Sequence, residues 1–176
     1  MDNEATHIPE MLKRGSTDAL RQVAALYGPT VYALALEITG NRMDAEEITS
    51  DTLMKAFRNI ASFRPDKGSF KAWILAIAHN AAISAMRRKR PEYPTDDFPE
   101  NIIDATPDSC DDIELVNEAI DRFPIQDKAL IHMYYYDSLS LAEISQITGV
   151  HATTLAVRLQ RLRQKLKQYI LTRHGR

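Results

Sequence analysis

A chain of 176 residues with 44% hydrophobic and 26% charged residues has ordinary globular composition, which excludes wholesale disorder. No apolar run approaches the roughly 20 residues needed to span a bilayer. The start Met1-Asp2-Asn3-Glu4 lacks the basic and apolar segments of a secretory signal, so a cytoplasmic protein without membrane insertion is expected.

The single cysteine, Cys110, has no partner for an internal disulfide, and the five histidines are too scattered to suggest a metal site with it. There is no phosphate-binding glycine loop, metal-ligand spacing or nucleophile motif, so neither a cofactor nor an enzyme is expected. The net charge of −2 argues against nucleic acid when taken alone, yet its distribution does not. Residues 1–90 carry 13 Lys/Arg against 10 Asp/Glu, residues 91–117 carry none against 9, and residues 118–176 carry 9 against 5.

In chain order, Ser16 or Thr17 can cap a helix whose Leu20, Val23, Ala24 and Tyr27 recur at helical spacing. Gly28-Pro29 reads as an interruption. A second helix is expected over Pro29–Thr39, nearly all apolar and therefore central, with Gly40-Asn41 as its stop. A long third helix follows from Arg42 to Ile60. Ala45, Ile48, Leu53, Ala56, Phe57 and Ile60 form its buried side, while Asp44, Glu46, Glu47 and Asp51 face elsewhere. Acidic residues near a helix start suit the dipole, which accounts for some of them structurally.

After the loop Arg64-Pro65-Asp66-Lys67-Gly68, a helix starting near Ser69 places Phe70, Trp73, Ile74, Ile77 and Ala81 on one apolar stripe. Trp73 is read as a core anchor. That helix ends in Arg87-Arg88-Lys89-Arg90-Pro91, cations at a C-terminus followed by proline. The stretch Glu92 to Glu114 is rich in Pro, Asp and Glu without an apolar period, the composition of a solvated tether.

The expected architecture is therefore all-α, with two small helical domains at 1–90 and 113–176 joined by an acidic flexible linker at 91–112. In the second domain, Ser140-Leu141-Ala142-Glu143 is a capping box that opens a short helix, and Gly149 can take the left-handed conformation that ends it. A last helix begins near Ala152. Its Leu155, Leu159, Leu162, Leu166 and Ile170 point inward, while Arg158, Arg161, Arg163, Lys165 and Lys167 occupy the other side.

A short capped helix, a glycine turn and a basic amphipathic helix describe a helix-turn-helix with its recognition helix last. The major groove admits such a helix. Thr153, Thr154, Ala156, Val157, Arg158, Gln160 and Arg161 are the candidates for base and phosphate contacts. The plain alternative is a solvated basic face; one-signed charge coupled to the turn favours DNA.

The ordered motifs resemble a known family. Asp44-Ala45-Glu46-Glu47-Ile48 is similar to the opening of the polymerase-clamp helix of extracytoplasmic-function (ECF) sigma factors. Phe63-Arg64, Phe70-Lys71-Ala72-Trp73-Ile74, Ile77-Ala78-His79-Asn80 and Arg87-Arg88-Lys89-Arg90 resemble the promoter-melting segment. Phe123-Pro124, Tyr134-Tyr135, Ser140-Leu141-Ala142-Glu143-Ile144, Thr154-Leu155, Arg158-Leu159 and Arg161-Leu162-Arg163 resemble the fourth sigma domain.

The resemblance implies an RNA polymerase sigma factor that melts promoter DNA. Glu47, Ser50, Asp51 and Met54 would meet the clamp coiled coil of the largest core subunit. Arg64, Lys67, Phe70, Lys71, Asn80, Arg87 and Arg88 would engage the minus-10 element, and Thr153, Thr154, Arg158, Gln160 and Arg161 the minus-35 element. An anti-sigma factor is a further expected partner. The chain departs from the family pattern at Ser50, where glutamine is common, at Ala156 and Val157, which replace polar groups, and at His151 in place of proline. A stand-alone helix-turn-helix regulator is the alternative; it leaves the acidic helix and the Asn80 segment unexplained.

Overall fold

The computed structural model describes residues 2–89 and 112–174, all helices and connecting turns with no strand among them. The acidic stretch 91–111, Arg90 and Cys110 lie outside the described residues.

Helices α1 (Asp2–Lys13), α2 (Thr17–Thr39), α3 (Arg42–Arg58) and α4 (Phe70–Lys89) make the first half, with a 3-10 turn at Ile60–Ser62. Ser16 caps α2 by accepting from the Ala19 N–H at 3.3 Å. Gly40 ends it at φ 61°, its N–H donating to the Leu36 carbonyl at 2.8 Å. Asn41 then caps α3 by accepting from the Asp44 N–H. The local signals at these ends act as expected.

The expected break at Gly28-Pro29 is absent: α2 runs through it without interruption. Proline inside a helix costs about 3 kcal/mol through its missing N–H and its ring. Against this, Val23, Val31, Leu34, Ala35 and Ile38 of the same helix are buried. Each large aliphatic contributes about 1.5–3 kcal/mol on burial, so packing outweighs the local penalty. Pro29 itself lies on the exposed side of the helix.

On α3 the buried residues are Ala45, Ile48, Thr52 and Ala56, with Leu53 and Phe57 packed at the edge of the core. Four aromatic rings gather where α2, α4 and the loop before α4 meet. Phe70 packs edge-on against Tyr27 and Phe63, with centroids 5.5 and 5.2 Å away, and stacks on Trp73 at 5.6 Å. Ile74, Leu75, Ala78 and Ala82 of α4 are also buried, a wider face than the sequence stripe. The reason is that α4 is flanked by α2 and α3 on one side and by a C-terminal helix on another.

The second half comprises α5 (Asp112–Asp121), α6 (Ile125–Ile131) continuing into a π-helical turn over His132–Tyr136, α7 (Leu141–Thr148) and α8 (Ala152–His174). Both bonds of the capping box form: Ser140 Oγ accepts from the Glu143 N–H at 3.3 Å and Glu143 Oε2 accepts from the Ser140 N–H at 3.0 Å. Gly149 closes α7 at φ 75°. α7 packs on α4, and α6 with the π turn packs on α2. One contiguous buried set consequently runs from Ile8 to Leu162.

Candidate nucleic-acid interface

The helix-turn-helix is built as its sequence requires. Ile144 and Ile147 of α7, with Leu155, Leu159 and Leu162 of α8, are buried against one another's elements and α6. This leaves the opposite side of the first turns of α8 in solvent. Thr153, Thr154, Ala156, Val157, Gln160 and Arg161 are exposed there. Toward the C-terminus the apolar seam opens: Leu166 and Ile170 are half-buried and border a shallow groove with Arg163, Lys167 and Leu171.

Arg158 departs from the expected arrangement. It is partly buried, and its guanidinium donates to the Asp127 carboxylate and, at 3.4–3.5 Å, to Gln126 Oε1 of α6. The pair locks the start of α8 onto α6. A rigid guanidinium fork suits such a two-acceptor arrangement, and the same fixity orients whatever part of Arg158 remains accessible.

On α3, Glu47, Ser50, Asp51 and Met54 are all exposed, and their spacing puts them on one face opposite Ala45, Ile48, Thr52 and Ala56. Met43 is 78% exposed and Met54 41%, an apolar complement beside the acids. In the loop before α4, Arg64 and Lys67 are exposed, and on α4 so are Asn80, Arg87 and Arg88. Phe70 is only 6% exposed. Its ring contacts with Tyr27, Phe63 and Trp73 underpin the loop.

Lys71 is also engaged. Its Nζ donates to the Asp137 carbonyl at 2.6 Å and pairs with Asp137 Oδ1 at 3.3 Å, across the boundary between the two halves. Burial pushes the Asp137 carboxyl above the usual range, against the pull of Lys71 and His132. Glu143 lies nearby and receives the Ser69 hydroxyl at 2.5 Å. Burial tends to raise its pKa, but hydrogen bonds from Ser69 and Ser140 together hold it below the ordinary value. Burial likewise lowers the His79 imidazole, whose Nδ1 has no hydrogen-bond partner.

Sequence reasoning missed α1, the Arg158–Asp127 pair and the Lys71–Asp137 pair. No local pattern marks either pair, because the partners lie 31 and 66 positions apart in sequence. Among the described residues no group of three His, Cys, Asp or Glu could hold a metal ion, and no helix is long and apolar enough to cross a membrane.

An all-helical chain with an exposed recognition-helix start, an acidic face on one helix and basic residues along another has the makeup of a DNA-binding transcription protein. Sigma-70 region 2 matches residues 23–92, and Sigma-70, region 4 matches residues 113–166. RNA polymerase sigma factor SigV of Bacillus subtilis (strain 168) is 30% identical over 131 residues, covering 74% of this chain and 78% of SigV. ECF RNA polymerase sigma factor SigW of the same organism is 28% identical over 176 residues, covering 92% and 94%. The sigma factor RpoE in complex with the anti-sigma factor NepR, from Bartonella quintana, shares the fold with a TM-score of 0.64 at 24% identity, covering 85% of this chain and 95% of that one. CnrH in complex with the cytosolic domain of CnrY has a TM-score of 0.68 at 17% identity, over 96% and 97%.

The chain belongs to the sigma-70 family and is an RNA polymerase sigma factor of the ECF type. Matches in both halves answer the alternative of a stand-alone regulator, which accounted for the C-terminal motif alone.

Proposed function

We propose that the sigma-factor work divides between two units, 1–90 and 113–176, with 91–112 as a tether, and that it proceeds by binding alone. Glu47, Ser50, Asp51 and Met54 dock on the clamp coiled coil of the core enzyme. Ser50, shorter than the glutamine common at this place, leaves Met54 and the acids with more of the contact. Arg64, Lys67, Lys71, Arg87 and Arg88 hold backbone phosphates around the minus-10 element. Asn80, exposed and carrying both a donor and an acceptor, reads an unpaired base. Phe70 sets the loop from beneath.

Thr153, Thr154, Gln160 and Arg161 meet the minus-35 duplex, with Arg158 oriented by Asp127. Ala156 and the 48%-exposed Val157 offer apolar surface in place of polar groups, which shifts readout toward thymine methyls and DNA shape. Melting follows from preferential binding of unstacked bases, which offsets the unpairing cost. The likeness to a sigma factor solved with an anti-sigma partner supports regulation by such a partner, acting in the cytoplasm.

The observation that carries this reading is the simultaneous exposure of the α3 acidic face, Asn80 and the first turn of α8 on one sigma-family chain. The test is transcription from a promoter library by core polymerase with the added protein. Asn80→Ala is expected to cut open-complex formation, detected by permanganate footprinting, while duplex binding persists. Arg161→Ala is expected to weaken minus-35 binding by about 1–3 kcal/mol when a base contact is lost. Wild-type melting by Asn80→Ala overturns the assignment of that residue.

A further inference from the structure

Among the described residues, Met11 and Met86 pack against the core and Met133 is fully buried, whereas Met43 is 78% exposed and Met54 41%. Both exposed thioethers stand on α3. Met43, Glu47, Ser50 and Met54 follow a 4, 3, 4 spacing, which sets them on one line along the side opposite Ala45, Ile48, Thr52 and Ala56. At a rise of about 1.5 Å per residue, the two methionine positions are roughly 16 Å apart along the axis. The two side chains between them are polar and exposed, so that line gives the thioethers no apolar cover.

We propose that Met43 and Met54 are oxidisable anchors of the clamp-docking face: their sulfurs are open to hydroperoxides in the free chain, and conversion to methionine sulfoxide releases the chain from core polymerase. The inference rests on the reading of the α3 face as the clamp-docking surface and adds Met43 to that surface. In the step, a thioether lone pair attacks one peroxide oxygen. An S–O bond forms as the O–O bond breaks, the sulfur gives up two electrons, and the other oxygen leaves as water with both peroxide hydrogens. A dithiol reductant reverses the change, becoming a disulfide while the sulfoxide oxygen departs as water.

Two features make the site selective. A thioether is flexible and polarizable, suited to filling an irregular apolar recess on a partner, whereas a sulfoxide carries a strong acceptor oxygen that must be stripped of water to enter the same recess. The core methionines are shielded by packing, so the docking face changes while the fold persists. Docking itself covers the two sulfurs, which confines the oxidation to chains not bound to polymerase.

The test uses the full chain with Cys110→Ser, which removes the thiol as a competing target. The protein is treated with hydrogen peroxide, quenched with catalase and mapped by peptide mass spectrometry. Sulfoxide is expected at Met43 and Met54 well before Met11, Met86 and Met133. Affinity for core RNA polymerase, read by fluorescence anisotropy of the labelled chain, is expected to weaken about tenfold on oxidation. It is expected to recover after treatment with the two epimer-specific methionine sulfoxide reductases and a dithiol. Unchanged helical circular dichroism separates loss of docking from unfolding.

The Met43→Leu/Met54→Leu double variant has no thioether on α3 and is compared with its own untreated state. Whatever its starting affinity, peroxide is expected to leave that affinity where it was. Full oxidation of Met43 and Met54 with undiminished core binding overturns the proposal, as does an equal peroxide loss in the leucine variant. Glu47→Lys/Asp51→Lys tests the underlying reading separately. It is expected to lose core binding, and an affinity equal to wild type would overturn the assignment of this face to the clamp.

Discussion

Thr52 is fully buried in the middle of α3, and its hydroxyl has no hydrogen-bond partner. A hydroxyl stripped of water without replacement is unfavourable by about 1–3 kcal/mol, whereas a methyl of the same shape is not. Thr52→Val is therefore expected to raise the urea midpoint, corresponding to about 1 kcal/mol, without altering the neighbouring exposed face at Asp51. A lower midpoint in the valine variant would show that the hydroxyl is satisfied in solution. Arg158 marks the limit of what single residues reveal in a sequence. Its charge and its place on the first turns of α8 were legible, and they pointed to DNA. Its acceptor on Asp127 lies 31 residues earlier on α6 and follows no local pattern. Phe70 shows the same limit: its place on the apolar stripe of α4 is legible, while Tyr27 and Phe63, which meet its ring alongside Trp73, come from other elements.

At the scale of elements, the boundaries set by local chemistry were readable. Ser16, Gly40, Asn41, Ser140 and Gly149 each form the cap or turn that their side chains or lack of one dictate. The same local logic failed at Gly28-Pro29, where the flanking apolar face keeps α2 whole. Gly28 takes a helical position there, and apart from its chain neighbours and the backbone of its own helix no atom lies within 4 Å of an added Cβ. Glycine in a helix interior is unfavourable relative to alanine by about 0.5–1 kcal/mol, but a Cβ on the residue before Pro29 crowds the proline ring in the helical region, so Gly28→Ala is expected to give no net gain in stability. The check is the thermal midpoint, together with unchanged helical content; a clearly raised midpoint would mean that the helix bends enough at this point to keep the added Cβ clear of the ring. The wide buried face of α4 was not legible, since periodicity marks one stripe and cannot announce a second neighbour arriving from the other half.

Across the whole molecule the two halves share one buried set and are joined by bonds such as Ser69–Glu143, which spans 74 positions of sequence. Nothing in composition distinguishes two such halves lying apart from two halves in contact. Their shared packing also gives the molecule opposing proton linkages. Asp137 has a raised carboxyl pKa, so its contribution to stability is full below the unfolded value of about 3.9 and is lost as pH rises through the folded value. His79 is the reverse case: burial depresses its imidazole, so its contribution is full above the unfolded value of about 6.5 and is lost as pH falls through the folded value. Between about pH 7.5 and about pH 5 the unfolded His79 takes up its proton while the folded imidazole, depressed by burial, lags behind, so His79 favours proton uptake by the unfolded chain. His79→Gln removes the second linkage and leaves the first. The wild type is therefore expected to lose stability relative to H79Q as the pH is lowered across that window, measured by urea unfolding at each pH. Parallel curves for the two proteins would mean that His79 titrates alike in the folded and unfolded chain, and that its buried nitrogen reaches water.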